Sequence, residues 1–284
     1  MNHIAGVVIL YHPDEKVLDR IKSYVQYLGK LYVVDNTEVP NELIKASRLK
    51  NSVIYLHDGE NNGIAVRLNE VANLAIQEGF KWLLTMDQDS CFDNNLFLNY
   101  YDCCLNFPYI NQTAMFGVQY HDKGLLNTSC NPYPAIHLIT SGSILNLALF
   151  LKIGPFDEAL FIDKVDHEYC LRAQLLGYRI IRMENIFLNH NLGKITYGRS
   201  LKNFKITPRV IHSPIRMYYI VRNYLYLKSK FKGHYQESFA EMNEEVRVRL
   251  KNNLLYGENK LLLLKYIIKA YKDYKTKRFG KMKK

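Results

Sequence analysis

The stretch NNGIAVRLNEVANLAIQEGFKWLLTMDQDS, residues 61–90, holds a turn, a helix and a strand in one run. Ile64, Ala65, Leu68, Val71, Ala72, Ala75 and Ile76 recur three and four residues apart, the spacing of one helix face, and Gly79 stands where such a helix stops. WLLTMD (82–87) follows, apolar on both sides, and reads as a buried strand of a parallel sheet. The strand ends on Asp87 and Asp89, one residue apart, where like charges repel. Either the two cap a turn, as Asp commonly does, or they hold a cation. Mg2+ and Mn2+ take one or two protein carboxylates and complete their shell with water and substrate phosphates.

Working outward, AGVVIL (5–10), LYVVD (31–35) and SVIYL (52–56) read as further buried strands. Between the first two, Val17, Leu18, Ile21, Tyr24, Val25 and Leu28 repeat at helical spacing before Gly29. The series βαβ predicts an α/β, doubly wound sheet, whose ligands bind at the carboxyl ends of the strands. Those ends carry Tyr11, His12 and Pro13, then Asp35 and Asn36, then His57 and Asp58, then Asp87 to Ser90, with no GxGxxG for a dinucleotide. Beyond residue 110 the pattern shifts to AMFGVQ (114–119), LITSGSIL (138–145) and YRIIRM (178–183) as strands, with a helix over 165–176 closed by Gly177. After about residue 200 the chain reads as helical, amphipathic, basic and rich in tyrosine.

The 284 residues, 48% hydrophobic, suit one large domain or one domain plus an appendage. Five cysteines, odd in number and without a CxxC, argue against a disulfide framework and a zinc site and predict a reducing compartment. The apolar segment Ile4–Leu10 lacks a basic flank and a cleavage site, which predicts a mature cytoplasmic start. No uncharged apolar run reaches the roughly 18 residues of a spanning helix. The net charge of +11 predicts an anionic partner, and the excess gathers in 213–232, with five basic residues and no acid, and 272–284, with seven and one.

The 61–90 stretch resembles the segment before the DxD motif of family 2 GT-A glycosyltransferases, and DQDS in particular resembles their rhamnosyltransferase branch. VVILYHP and VVDNTE are similar to that family's first two strands and loops, although His12 stands where Asn is usual. TSGSILNLALFLKIGPFDEALFIDKVDHEYCLRAQLLGYRI (140–180) resembles the acceptor half, and YYIVRNYLYL (218–227) the helix after the catalytic domain. The resemblance spans about residues 4 to 230. It implies a GT-A fold, a Rossmann-like nucleotide-binding sheet with an acceptor-binding half, over residues 1–200, and a helical basic region over 201–284 packed on it.

The resemblance further implies inverting transfer of a sugar, L-rhamnose from dTDP-L-rhamnose, to a hydroxyl of a glycan or lipid-linked acceptor in bacterial surface polysaccharide synthesis. Asp89 and Asp87 carry over as holders of Mn2+ or Mg2+, joined by His190 in LNHNLG, although a lone histidine is more often structural than a ligand. Tyr11, His12, Asp35, Asn36, Asn62, Gly63 and Asp87 fall on the donor side; Asx turns and a helix cap are the plain alternatives. The family helix carries an Arg six residues after its catalytic Asp, so counting back from Arg172 gives Asp166, with Asp163 one turn earlier as rival base and Val165 where a Glu is usual. Asp166 also suits a bare helix N-terminus. Ser141, Gly142, Ser143, Glu168 and Arg172 belong to the acceptor or diphosphate pocket, or form a packing loop and an i,i+4 ion pair. The basic tail predicts contact with an anionic membrane surface at the inner face of the cell membrane, against a merely solvated face, and no nucleic-acid motif accompanies it. A UDP-linked hexose or galactofuranose donor, a nucleotidyltransferase and a non-catalytic basic binding module are the rival functions.

Overall fold

A computed structural model describes residues 3–45, 52–93, 96–120, 129–190, 195–199 and 204–283. The chain divides into two compact units, Met1–Phe161 with Val165–His190, and Ile162–Lys164 with Asn191–Lys284.

The first unit is built on strands β1 (Ile4–Leu10), β2 (Lys30–Asp35), β3 (Val53–His57), β4 (Trp82–Asp87), β5 (Ser90–Phe92), β6 (Thr113–Gln119), β7 (Pro132–Pro134), β8 (Ser143–Asn146) and β9 (Arg179–His190). Their order is β3-β2-β1-β4-β8-β6-β9-β5, with β7 on β9. The first four are parallel, and β8 runs antiparallel to both β4 and β6. Helices α1 (Val17–Val25), α2 (Glu42–Lys45), α3 (Gly63–Gln77), α4 (Leu96–Leu105), α5 (Leu147–Ile153) and α6 (Val165–Leu175) complete it. Val17, Ile21, Tyr24 and Val25 of α1 and Phe97, Tyr100 and Tyr101 of α4 form one core with Val8, Leu10, Leu84 and Met86 of the sheet. Each such fully buried side chain contributes about 1.5–3 kcal/mol over an exposed one. Ala65, Leu68, Val71, Ala72 and Ala75 are buried positions of α3, beside Gly63, Arg67 and Asn69. They repeat the spacing read from the sequence.

Three expectations are corrected. SVIYL reads as a buried strand, yet β3 is the sheet edge and only partly covered. LITSGSIL reads as one strand, yet only its second half extends into β8. Gly142 sits at φ +72, and a Cβ there would lie 2.8 Å from a Val118 methyl, so the chain must turn before it can pair. The third concerns cysteine: Cys103 and Cys130 form a disulfide with Cα atoms 5.5 Å apart, while Cys91, Cys104 and Cys170 are free. Counting cysteines could not find it, because the bridge depends on a segment 27 residues away returning to α4.

The second unit holds the antiparallel pair β10 (Ile195–Arg199) and β11 (Ile206–Val210) and helices α7 (Pro214–Lys230), α8 (Gln236–Tyr256) and α9 (Lys260–Lys275). Arg222 of α7 is wholly buried, its guanidinium over the rings of Tyr218, Tyr219 and Phe279 and its Nη1 donating to Gly280 O at 2.7 Å. Asn223 donates to the carbonyls of Ile162 and Asp163 at 2.8 and 2.9 Å, and Arg216 pairs with Asp163 at 2.9 Å. His212 lies in the same unit, where burial first and the charges of Arg249 and Arg216 next push its pKa down to about 4.

Two measurements follow from this architecture. Alkylation of the denatured, unreduced protein labels three thiols and, after reduction, five, read by intact mass. The folded chain keeps His212 neutral while the unfolded chain protonates it near 6.5, so its contribution is present above that pH and is lost as pH falls from 6.5 toward about 4. Urea unfolding of His212→Gln shows a flatter pH dependence across that window than wild type.

Candidate active site

The register of the parallel strands sets the site. Asp35 pairs with Leu10 and with His57, and Asp87 pairs with Ile9, so the polar residues after β1, β2, β3 and β4 emerge at one level of the sheet. Between β1 and β4 the chain order reverses, the position at which a doubly wound sheet opens a crevice.

Asp87 ends β4 and Asp89 stands on the turn after it, and Gln88 between them fastens that turn to the loop after β1. Its Oε1 accepts from Tyr11 N at 2.7 Å and its Nε2 donates to Tyr11 O at 3.1 Å. Arg20 of α1 donates to Gln88 O at 3.2 Å. The arginine's pKa is raised first by its hydrogen bond to Asp14, against the cost of burial, and further by the charge of Asp89. Tyr11 is exposed; His12 adopts φ 46, takes Thr37 Oγ1 as acceptor for its amide and lies 3.4 Å from Glu38.

Asp35 is buried and accepts from Thr37 N, Thr37 Oγ1, Asn41 N and Tyr55 Oη at 3.0, 2.5, 3.2 and 2.6 Å. Burial opposes its charge, but the hydrogen bonds from Thr37 and Tyr55 outweigh it and hold the carboxyl below its ordinary pKa. Asn36 donates to Gly63 O at 3.3 Å and accepts from Arg67 Nε at 2.8 Å. Asn62 is the residue before α3, and Gly63 has φ +82. A Cβ on Gly63 would meet Phe161 O at 2.5 Å, while Ile64 N donates to that oxygen at 2.7 Å. Only glycine fits here.

The turn 140–142 connects this edge to α6. Ser141 Oγ accepts from Asp87 N at 3.1 Å, and Gly142 N donates to Thr85 O at 2.8 Å. One residue earlier, Thr140 gives Asp166 Oδ2 two hydrogen bonds, 2.9 Å from N and 3.3 Å from Oγ1. Asp166 Oδ1 accepts from His167 N and faces His167 Nδ1, at 2.8 and 2.9 Å. Tyr120 donates to Ser141 O at 3.1 Å. Burial first, then the charges of Asp166 and Asp87, push that phenol well above its ordinary pKa, so it remains a neutral donor beside both carboxylates.

Ser143 is buried and donates to Ile139 O at 2.6 Å. Glu168 is buried in a two-pronged ion pair with Arg172, which also reaches the carbonyls of Ile153 and Pro155 at 2.6 and 2.7 Å. The pair thus ties α6 to the end of α5. His190 closes β9 opposite Ser90; its side chain lies outside the described residues. Asp163, at φ 74, belongs to the second unit with Arg216.

Sequence reasoning missed Arg20, Arg67, Tyr120, Thr140 and His167. Only His167 carried a signal, its place beside Asp166; Arg20, Tyr120 and Thr140 meet partners 68, 21 and 26 residues away, and Arg67 joins Asn36, 31 residues away, to nearer acids. Among the described residues no three or more His, Cys, Asp and Glu side chains gather into a cation cage. Asp87 at the end of β4 and Asp89 in the turn after it are oxygen donors of the kind Mn2+ and Mg2+ take, whose remaining ligands are commonly water and substrate phosphate.

No family model matches the chain. It is 28% identical over 251 residues to the dTDP-rhamnosyl transferase RfbF of Shigella flexneri, covering 81% of each. Its fold matches GalNAc-T7 solved with UDP, GalNAc and Mn2+ at TM-score 0.61 and 12% identity, over 97% of this chain and 56% of that one. It also matches Staphylococcus aureus TarS 1-349 in complex with UDP-GlcNAc at TM-score 0.54 and 12% identity, over 95% and 80%. The chain is thus similar in sequence to a rhamnosyl transferase and shares the GT-A fold of the two solved structures.

Proposed function

We propose that the protein transfers L-rhamnose, with inversion, from dTDP-L-rhamnose to a hydroxyl of a glycan or lipid-linked acceptor during assembly of a bacterial surface polysaccharide. The likeness to dTDP-rhamnosyl transferase RfbF supports the donor. One observation supports the mechanism: consecutive residues, Thr140 and Ser141, hold the carboxylate of Asp166 and the backbone of Asp87. The acid–base side and the donor side of the site therefore keep one register. A UDP-linked sugar is the second reading, favoured by the UDP and UDP-GlcNAc bound in the two structural neighbours.

Mn2+ or Mg2+, held by Asp89 and Asp87 with His190 as a further ligand, would supply positive charge to the departing diphosphate. The rest is positional. Gln88 and Arg20 fix the turn that follows Asp87 and carries Asp89. Tyr11, His12, Asp35 and Asn36 form the nucleotide side, and Asn62 with Gly63 the adjoining donor loop. Ser141, Gly142 and Ser143 back the acceptor pocket, and the Glu168–Arg172 pair steadies α6 behind it.

Asp166 takes the proton of the acceptor hydroxyl while that oxygen attacks the anomeric carbon opposite the leaving group. The bond to the diphosphate breaks, and its electron pair departs with the nucleotide. As it stands, Asp166 accepts from Thr140 N and Oγ1 and from His167 N, and faces His167 Nδ1. Thr140 Oγ1, the longest at 3.3 Å, is the one an acceptor hydroxyl replaces. The basic C-terminal region meets an anionic membrane surface, where lipid-linked acceptors reside. Among the described residues no helix is long and apolar enough to cross a membrane.

Donor turnover across dTDP-L-rhamnose and UDP-hexoses, with Mn2+, Mg2+ or EDTA, tests the donor and the metal together. Asp89→Asn lowers metal-dependent turnover about a hundredfold or more; unchanged turnover removes the metal role. Asp166→Asn lowers kcat for transfer by about 10²–10⁴ while donor affinity, measured by calorimetry, is unchanged. An equal loss from Asp163→Asn alone would move the base to Asp163.

A further inference from the structure

Helix α9 carries features that sugar transfer does not use. It buries Leu263, Ala270 and Asp273. On its other side Leu261, Leu264, Ile268 and Tyr271 recur three or four residues apart and stand exposed, Leu261 at 85% and Ile268 at 69%. An exposed apolar stripe along a helix marks a contact surface. Lys265, Lys272 and Lys275 are exposed along the same side, and the Lys275 ammonium lies over the Tyr271 ring at 5.5 Å. Apolar residues bordered by lysines make up the face of a helix lying in a membrane interface.

At the end of α9 the chain turns back, with Lys277 at φ 56 and Arg278 N donating to Asp273 O at 2.8 Å. The turn frames a cavity of about 570 Å³ lined by Lys269, Lys277, Arg278, Lys281 and Lys283, with Asp273 its one acid. Asp273 is already engaged by Tyr218 Oη at 2.8 Å and Lys269 at 3.4 Å. Among the described residues no carboxylate pairs with the other four cations. Four uncompensated positive charges around one concavity attract a compact anion with several acceptor oxygens, a phosphate group.

We propose that α9 docks the protein on an anionic bilayer, its apolar stripe entering the headgroup–acyl boundary and the adjoining pocket taking a lipid phosphate. The inference rests on the membrane contact in the proposed function and assigns it to particular residues. A free phosphate would satisfy the pocket's charge but leave the stripe in water. A bilayer offers acyl chains to the stripe and lipid phosphates to the cations gathered at the C-terminal end of the same helix.

Flotation of the full chain with vesicles of phosphatidylcholine, with and without phosphatidylglycerol, tests the assignment. Two variants accompany the wild type: Leu261→Ser with Ile268→Ser, and Lys277→Gln with Arg278→Gln and Lys281→Gln. All are exposed positions, and circular dichroism confirms matched helicity and Tm. Wild type floats only with the anionic vesicles, and each variant partitions about tenfold less or weaker still, while donor hydrolysis without vesicles is unchanged. Undiminished flotation of both variants overturns the assignment to α9 and leaves membrane contact standing. Absence of wild-type flotation overturns both. Calorimetric binding of inorganic phosphate without flotation overturns the membrane role of the pocket.

Discussion

A strand that ends leaves backbone N–H and C=O groups without ladder partners, and buried ones must be satisfied from elsewhere. At the carboxyl edge of this sheet the partners are side chains of neighbouring loops. Gln88 serves both backbone groups of Tyr11, Ser141 receives the amide of Asp87, and Asp35 receives those of Thr37 and Asn41. The same hydrogen bonds that close the loops fix where their carboxylates and amides sit. Fold and site are thus held by one set of interactions.

Charge follows the same economy. Asp166 lies between Thr140 and His167, and Glu168 is matched by both arms of Arg172. A buried carboxylate costs several kcal/mol unless such partners replace its water. Once satisfied, it is anchored in position. Arg67 does the equivalent for a cation, reaching Asn36, Asp58 and the Glu60 carbonyl from one buried guanidinium.

The parallel half of the fold was legible because its signals are local. Helical spacing in 64–76, the apolar run 82–87 and the polar strand ends each lie within a short window. Asp87, Asp89 and Asp166 were singled out through a family resemblance that short motifs carry, and their roles belong to the proposed function. What escaped reading depends on distance along the chain. Gln88 meets a loop 77 residues away and Ser141 an amide 54 residues away. The edge position of β3, the turn at Gly142 and the Cys103–Cys130 bridge likewise appear only once the tertiary contacts exist. Periodicity reports which side of an element is buried. It does not report what lies against it.

Gly63 shows how close such contacts become. Its left-handed backbone rests on the Phe161 carbonyl, which also receives the amide of Ile64. The loop proposed to meet the donor is therefore held by contacts within the protein itself. Ordering a backbone residue costs about 1–2 kcal/mol in conformational entropy, and here that loss is incurred during folding rather than on ligand capture. Any ligand bound by that loop would be spared it, the thermodynamic meaning of preorganisation.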